Sequence, residues 1–153
     1  MPRPLIIGIG NIQRGDDGAG RQVARLLRHM LADKADIVEL DGEASSIVAR
    51  LEGAKTAYLI DACMSKAPPG TVHRIDAAGG ELPLASSDLS THGFGLASAI
   101  ELARTLGQLP AQTIVFAIEA ESFEPGSPIT RAVTEATVIV ADRIRSEIEQ
   151  STV

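Results

Sequence analysis

The chain has 153 residues, 44% hydrophobic and 22% charged, with a formal net charge of −6. That length and apolar share support one domain over 1–153 with a buried core, and the acidic balance argues against a nucleic-acid partner, whose phosphates need a basic face. One Tyr, three Phe and no Trp leave little for base stacking, and a single Cys excludes an internal disulfide or a multi-cysteine zinc site. Met1-Pro2-Arg3-Pro4 passes straight into a strand-like run without the features of a signal peptide, and no apolar run reaches the roughly 18 residues that span a membrane. The expected location is therefore cytoplasmic, with no membrane partner.

Leu5 to Ile9 reads as a first strand, and from Gly20 to Met30 the positions Val23, Leu26, Leu27 and Met30 recur at helical spacing. Asp36 to Leu40 reads as a second strand, and Ser45-Ser46 as the N-cap of a helix that Gly53 stops. Thr56 to Ile60 reads as a central strand ended by Asp61, and Thr71 to Ile75 as an edge strand after the Pro68-Pro69-Gly70 turn. Ala77 to Ser90 reads as a loop, with His92 opening a helix that runs through Leu106. Thr113 to Ile118 is a further buried strand. An acidic loop follows, then Ser127-Pro128 as N-cap and first residue of a last helix. Strands alternating with helices predict a three-layer α/β/α sandwich around a twisted, mostly parallel sheet of about five strands. Right-handed crossovers then collect the strand-to-helix loops at the carboxyl edge, where such folds bind ligands.

The candidate chemistry gathers at that edge. Gly8 to Gly20 is a glycine-rich turn of the sort that usually presents N–H groups to a phosphate, but Asp16 and Asp17 would repel one and attract a cation. Adjacent carboxylates repel each other unless a cation or donors offset them, so one is expected to cap the helix and the other to face a ligand. Asp61 stands at the end of an otherwise apolar strand, and His92 opens a helix that could reach the same edge. Asp17, Asp61 and His92 thus make a possible O/O/N site for zinc or nickel with open positions for solvent or substrate.

Other residues read more plainly. His29 lies in an ordinary helix, His73 alternates within an edge strand, and Cys63 reads as a small buried hydrophobe. Glu119, Glu121 and Glu124 either line the site or solvate a loop. A dinucleotide fingerprint fails because Gln13 stands where its third glycine belongs, and Glu39 and Asp41 come late for a ribose contact.

In order and spacing, Gly8-x-Gly10-Asn11, Gly15-Asp16-Asp17-Gly18-x-Gly20, Ile60-Asp61-Ala62, Pro69-Gly70-Thr71, Ser90-x-His92 and a strand leading to Glu121 resemble the hydrogenase maturation endopeptidases. The likeness runs from Leu5 to about Arg145. It implies a phosphorylase/hydrolase-like sheet sandwiched by helices. It also implies an endopeptidase that removes the C-terminal extension of a nickel–iron hydrogenase large-subunit precursor after nickel insertion. Its metal-binding carboxylates and histidine fall on Asp17, Asp61 and His92. The best-studied family pattern has Glu at the position of Asp17, so this chain's shorter Asp must stand closer to the metal or bind through water.

Two mechanisms fit. In one, the three residues grasp nickel already lodged in the precursor. In the other, they hold a metal such as zinc whose bound water attacks the peptide, with Asp16 orienting the loop or acting as an auxiliary base. A metal-binding His92 must be neutral, which predicts falling activity below about pH 6.5. The readings from other classes are a non-catalytic metal- or partner-binding module and a small-molecule hydrolase; a closed pocket favours the last, an open groove a protein tail.

Overall fold

The computed structural model describes residues 2–80 and 95–151. Its elements are β1 (Leu5–Ile9), a 3-10 turn (Gly15–Gly18), α1 (Ala19–Leu31), β2 (Asp36–Leu40), α2 (Ala44–Leu51), β3 (Thr56–Cys63), β4 (Val72–Asp76), α3 (Gly95–Thr105), β5 (Gln112–Glu119) and α4 (Arg131–Ser151). The strands form one sheet in the order β2-β1-β3-β5-β4. All neighbours are parallel except β4, which runs antiparallel along the edge of β5.

The strands read as near-continuous apolar runs because both sheet faces are covered. Ile7, Ile9, Leu59 and Val115 face α2 and α3, where Ile47, Leu51, Leu96 and Ile100 pack on them. Ile6, Ile60, Phe116 and Ile118 point the other way, onto Val23 and Leu27 of α1 and Val140 and Ile144 of α4. The result is the α/β/α layering expected from the sequence. Among the described residues no helix is long and apolar enough to cross a membrane.

Strand order reverses at β1: the chain leaves β1 toward β2 and returns past it to β3. In open parallel sheets the crevice beyond the carboxyl ends of two such strands is where ligands settle. Here α1 starts directly against those ends. A Cβ on Gly20 would stand 2.3 Å from the Ile60 carbonyl and 2.4 Å from that of Ile9. Gly20→Ala must therefore push α1 off the sheet, and urea denaturation should register a loss of about 2–3 kcal/mol.

Three boundaries differ from expectation by more than one residue. β3 does not stop at Asp61 but continues to Cys63, because pairing with β5 persists through Cys63 opposite Glu119. The last helix begins at Arg131, not at Ser127-Pro128. Ser127 instead closes a turn, its hydroxyl donating to the Glu124 carbonyl at 2.7 Å. At α2 the N-cap position is Glu43, and Ser45 donates to the Glu43 carboxylate at 2.6 Å rather than capping the helix.

Candidate functional site

The turn after β1 is shaped by a residue that must be glycine. Gly10 has φ +142°, and a Cβ there would lie 1.8 Å from the Asp17 carbonyl. Without it the turn folds tightly on itself. The Asn11 N–H donates to both the carbonyl and Oδ2 of Asp17, at 3.2 and 3.1 Å, and the Asp17 N–H donates to the Arg14 carbonyl at 3.1 Å. Outside the turn, Arg21 of α1 donates to the Gly10 carbonyl at 2.6 Å.

Asp16 and Asp17 take different roles, and neither caps α1, whose N-cap Gly18 receives no side-chain bond. Asp16 turns toward the loop after β5. It accepts the N–H groups of Glu121, Ser122 and Thr130 at 2.8, 3.3 and 2.7 Å, and the Thr130 hydroxyl at 3.0 Å. Backbone bonds zip the same two segments together, from Asp16 N to Ser122 O, Gly15 N to Ser127 O and Gly126 N to Gln13 O. A carboxylate so fully donated to is a clasp between loops.

Asp17 and Asp61 form a buried carboxylate pair. They are 1% and 0% exposed, and the Asp17 charge acts directly on Asp61. Asp61 Oδ1 accepts the Ala62 N–H at 2.8 Å, while Oδ2 is buried with no hydrogen-bond donor among the described residues. Burial first, and the Asp17 charge second, push the Asp61 carboxyl well above the usual carboxylate range, against the weaker pull of the Ala62 N–H. A pair of this kind gains from a proton or a cation. His92, expected as the third ligand, lies outside the described residues.

An open cleft of about 480 Å³ borders the turn, lined by Asn11, Asp41, Glu43, Gly95 and Ser98 among others. It joins the Asp17 turn to the start of α3, three residues after His92. Glu39, weighed above as a ribose ligand, is engaged by Arg21, Arg25 and Arg28 of α1. Burial opposes its ionisation, but the bonds and charges of Arg28 and Arg25 outweigh that and hold its carboxyl below the ordinary value. It staples α1 to β2.

Glu119 does not solvate a loop. It ends β5 in the interior, 1% exposed, beside Cys63 and His73. Cys63 is buried as expected, but it also donates to Glu119 at 3.4 Å. This cluster was invisible in the sequence because it depends on the antiparallel register of β4, which places His73 opposite Ala117.

The family model described as "Hydrogenase maturation protease" matches residues 21–147. The hydrogenase expression/formation protein HupD of Thiocapsa roseopersicina is 32% identical over 123 residues, 77% of this chain; the chain spans about half (54%) of that relative's length. The hydrogenase 2 maturation protease of Escherichia coli K12 is 29% identical over 155 positions, covering 97% of this chain and 92% of the relative. The hydrogenase maturating endopeptidase HybD of E. coli superposes with a TM-score of 0.80 over 98% of this chain and 94% of its own, at 23% identity, and shares the fold.

Proposed function

We propose, for a chain that belongs to the hydrogenase maturation protease family, that it removes the C-terminal extension of a nickel–iron hydrogenase large-subunit precursor once nickel is in place. The substrate's nickel is its recognition element, grasped by Asp17, Asp61 and His92. The observation that carries this reading is the buried carboxylate pair at the reversal of strand order, with Asp61 Oδ2 lacking a donor among the described residues. Two carboxylates withdrawn from water repel each other, so a divalent cation arriving on the substrate relieves that repulsion and is held there.

The open cleft beside Asn11 favours an extended protein tail over a small molecule. Its acidic rim, Asp41 and Glu43, favours a tail segment without negative charge. Once the nickel is seated, the scissile peptide is fixed relative to the carboxylates, and that positioning lowers the barrier to attack by water. Asp16 contributes by holding the loop after β5 against the turn.

Asp17→Ala and His92→Ala are each expected to slow processing at least about 100-fold while the far-ultraviolet circular dichroism stays that of the unaltered chain. The readout is the mass of the precursor before and after incubation. Processing at the unaltered rate in both variants would remove these residues from the reaction.

A further inference from the structure

We propose that Cys63, His73 and Glu119 form a second divalent-metal site, separate from the Asp17–Asp61 pair and of zinc-like preference, at the junction of β3, β5 and β4. Three strands build it. Cys63 stands opposite Glu119 in the parallel β3–β5 register, and His73 stands opposite Ala117, two residues before Glu119. Period-two alternation puts all three side chains on the face covered by α2 and α3. Their ligating atoms lie within 4.8 Å of one another, with His73 Nε2 at 2.9 Å and Cys63 Sγ at 3.4 Å from Glu119 Oε1.

Those separations suit a tetrahedral ion. Ligands at about 2.0–2.3 Å from zinc place donor atoms about 3.3–3.7 Å apart, so small shifts of His73 and Glu119 would open the space. Thiolate, imidazole and carboxylate are donors that zinc accepts together, whereas magnesium and calcium call for oxygen alone. The carboxylate is ready for the role. Ser65 fixes it in place, and it already lies against both Cys63 and His73. The Ser65 N–H donates to Glu119 Oε2 at 3.1 Å and to Oε1 at 3.3 Å, and the Ser65 hydroxyl donates to Oε1, which also faces Cys63 and His73; a bound ion would take the place of the hydroxyl proton at Oε1. His73, 26% exposed at its side chain, gives the ion a way in and leaves the fourth position to solvent.

When the ion enters, Sγ of Cys63 gives up its proton to solvent and bonds the metal. His73 binds through Nε2 as neutral imidazole with its proton on Nδ1, and Glu119 binds through Oε1. The ion would lock the edge strand β4 and the end of β3 onto β5, two residues beyond Asp61 on the same strand face.

Cobalt(II), titrated into the metal-stripped full chain, is the probe. The expected result is a saturable thiolate-to-cobalt charge-transfer band that zinc abolishes by displacement. His73→Gln, at a half-buried position where folding should persist, is expected to weaken cobalt binding at least about tenfold. Glu119→Gln should do the same, and Asp17→Asn should leave the band unchanged. A chain without a thiolate band, or with a band of equal affinity in the folded His73→Gln variant, would overturn the site. A band lost in Asp17→Asn would do so too, by assigning the metal to the other carboxylates.

Discussion

Asp16→Ala is expected to lower the thermal midpoint by about 10 °C, the largest loss of stability from any single carboxylate in the turn after β1. The buried Asp16 carboxylate accepts three backbone N–H groups and the Thr130 hydroxyl. Truncation leaves those donors at Glu121, Ser122 and Thr130 without an acceptor. Each such group costs about 1–3 kcal/mol when buried, and the costs overlap, so about 3–5 kcal/mol is expected in total. In a chain of this size about 2–4 °C accompanies each kcal/mol. Asp16→Asn should recover little, because an amide nitrogen would meet donors where an acceptor is required. A scanning-calorimetry midpoint within about 2 °C of the unaltered chain, coupled with lost processing, would instead place Asp16 in the chemistry.

Asp61→Asn is expected to do the opposite: to raise stability in the absence of substrate and abolish processing. The folded state holds the Asp61 proton more tightly than the unfolded chain does, since burial and the Asp17 charge raise its carboxyl. Its contribution to stability is therefore fully present below the ordinary carboxylate value and is lost as pH rises through the raised folded value. Asparagine carries no charge at any pH, so urea midpoints of the unaltered chain should fall relative to those of Asp61→Asn across that window, from about pH 4 upward. The opposite slope from Glu39 and Glu119, whose carboxyls are lowered, is common to both chains and cancels in the difference. At neutral pH the variant gains about 1–3 kcal/mol, the cost of an unsatisfied buried group. Parallel urea–pH curves for the two chains would contradict the coupling of the pair. On the proposed reading, the cation that arrives on the substrate relieves this cost.

Some of this was legible in the sequence. Leu5–Ile9 and Asp36–Leu40 match their expected bounds because short apolar runs bracketed by Gly, Pro and Asp leave little room for another reading. The placement of Asp16, Asp17 and Asp61 at the carboxyl edge followed from alternation of strands and helices. What failed was local chemistry that another segment uses up. Ser127-Pro128 carries an N-cap signal, yet the Ser127 hydroxyl bonds Glu124 and its carbonyl accepts the Gly15 N–H, so the helix waits until Arg131. Asp61 resembled a strand stop because a carboxylate seldom sits inside a buried strand, and the ladder to β5 that carries β3 past it is a long-range fact. The Cys63–His73–Glu119 cluster is still more remote from sequence, since a one-residue slip of β4 would turn His73 to the other face.

The most direct measurement is cleavage of a hydrogenase large-subunit precursor offered in nickel-loaded and nickel-free forms to the same preparation of this chain. Recognition of the substrate's nickel by Asp17, Asp61 and His92 predicts a shortened product from the loaded form alone. Equal cleavage of both forms, or cleavage of neither, would contradict it.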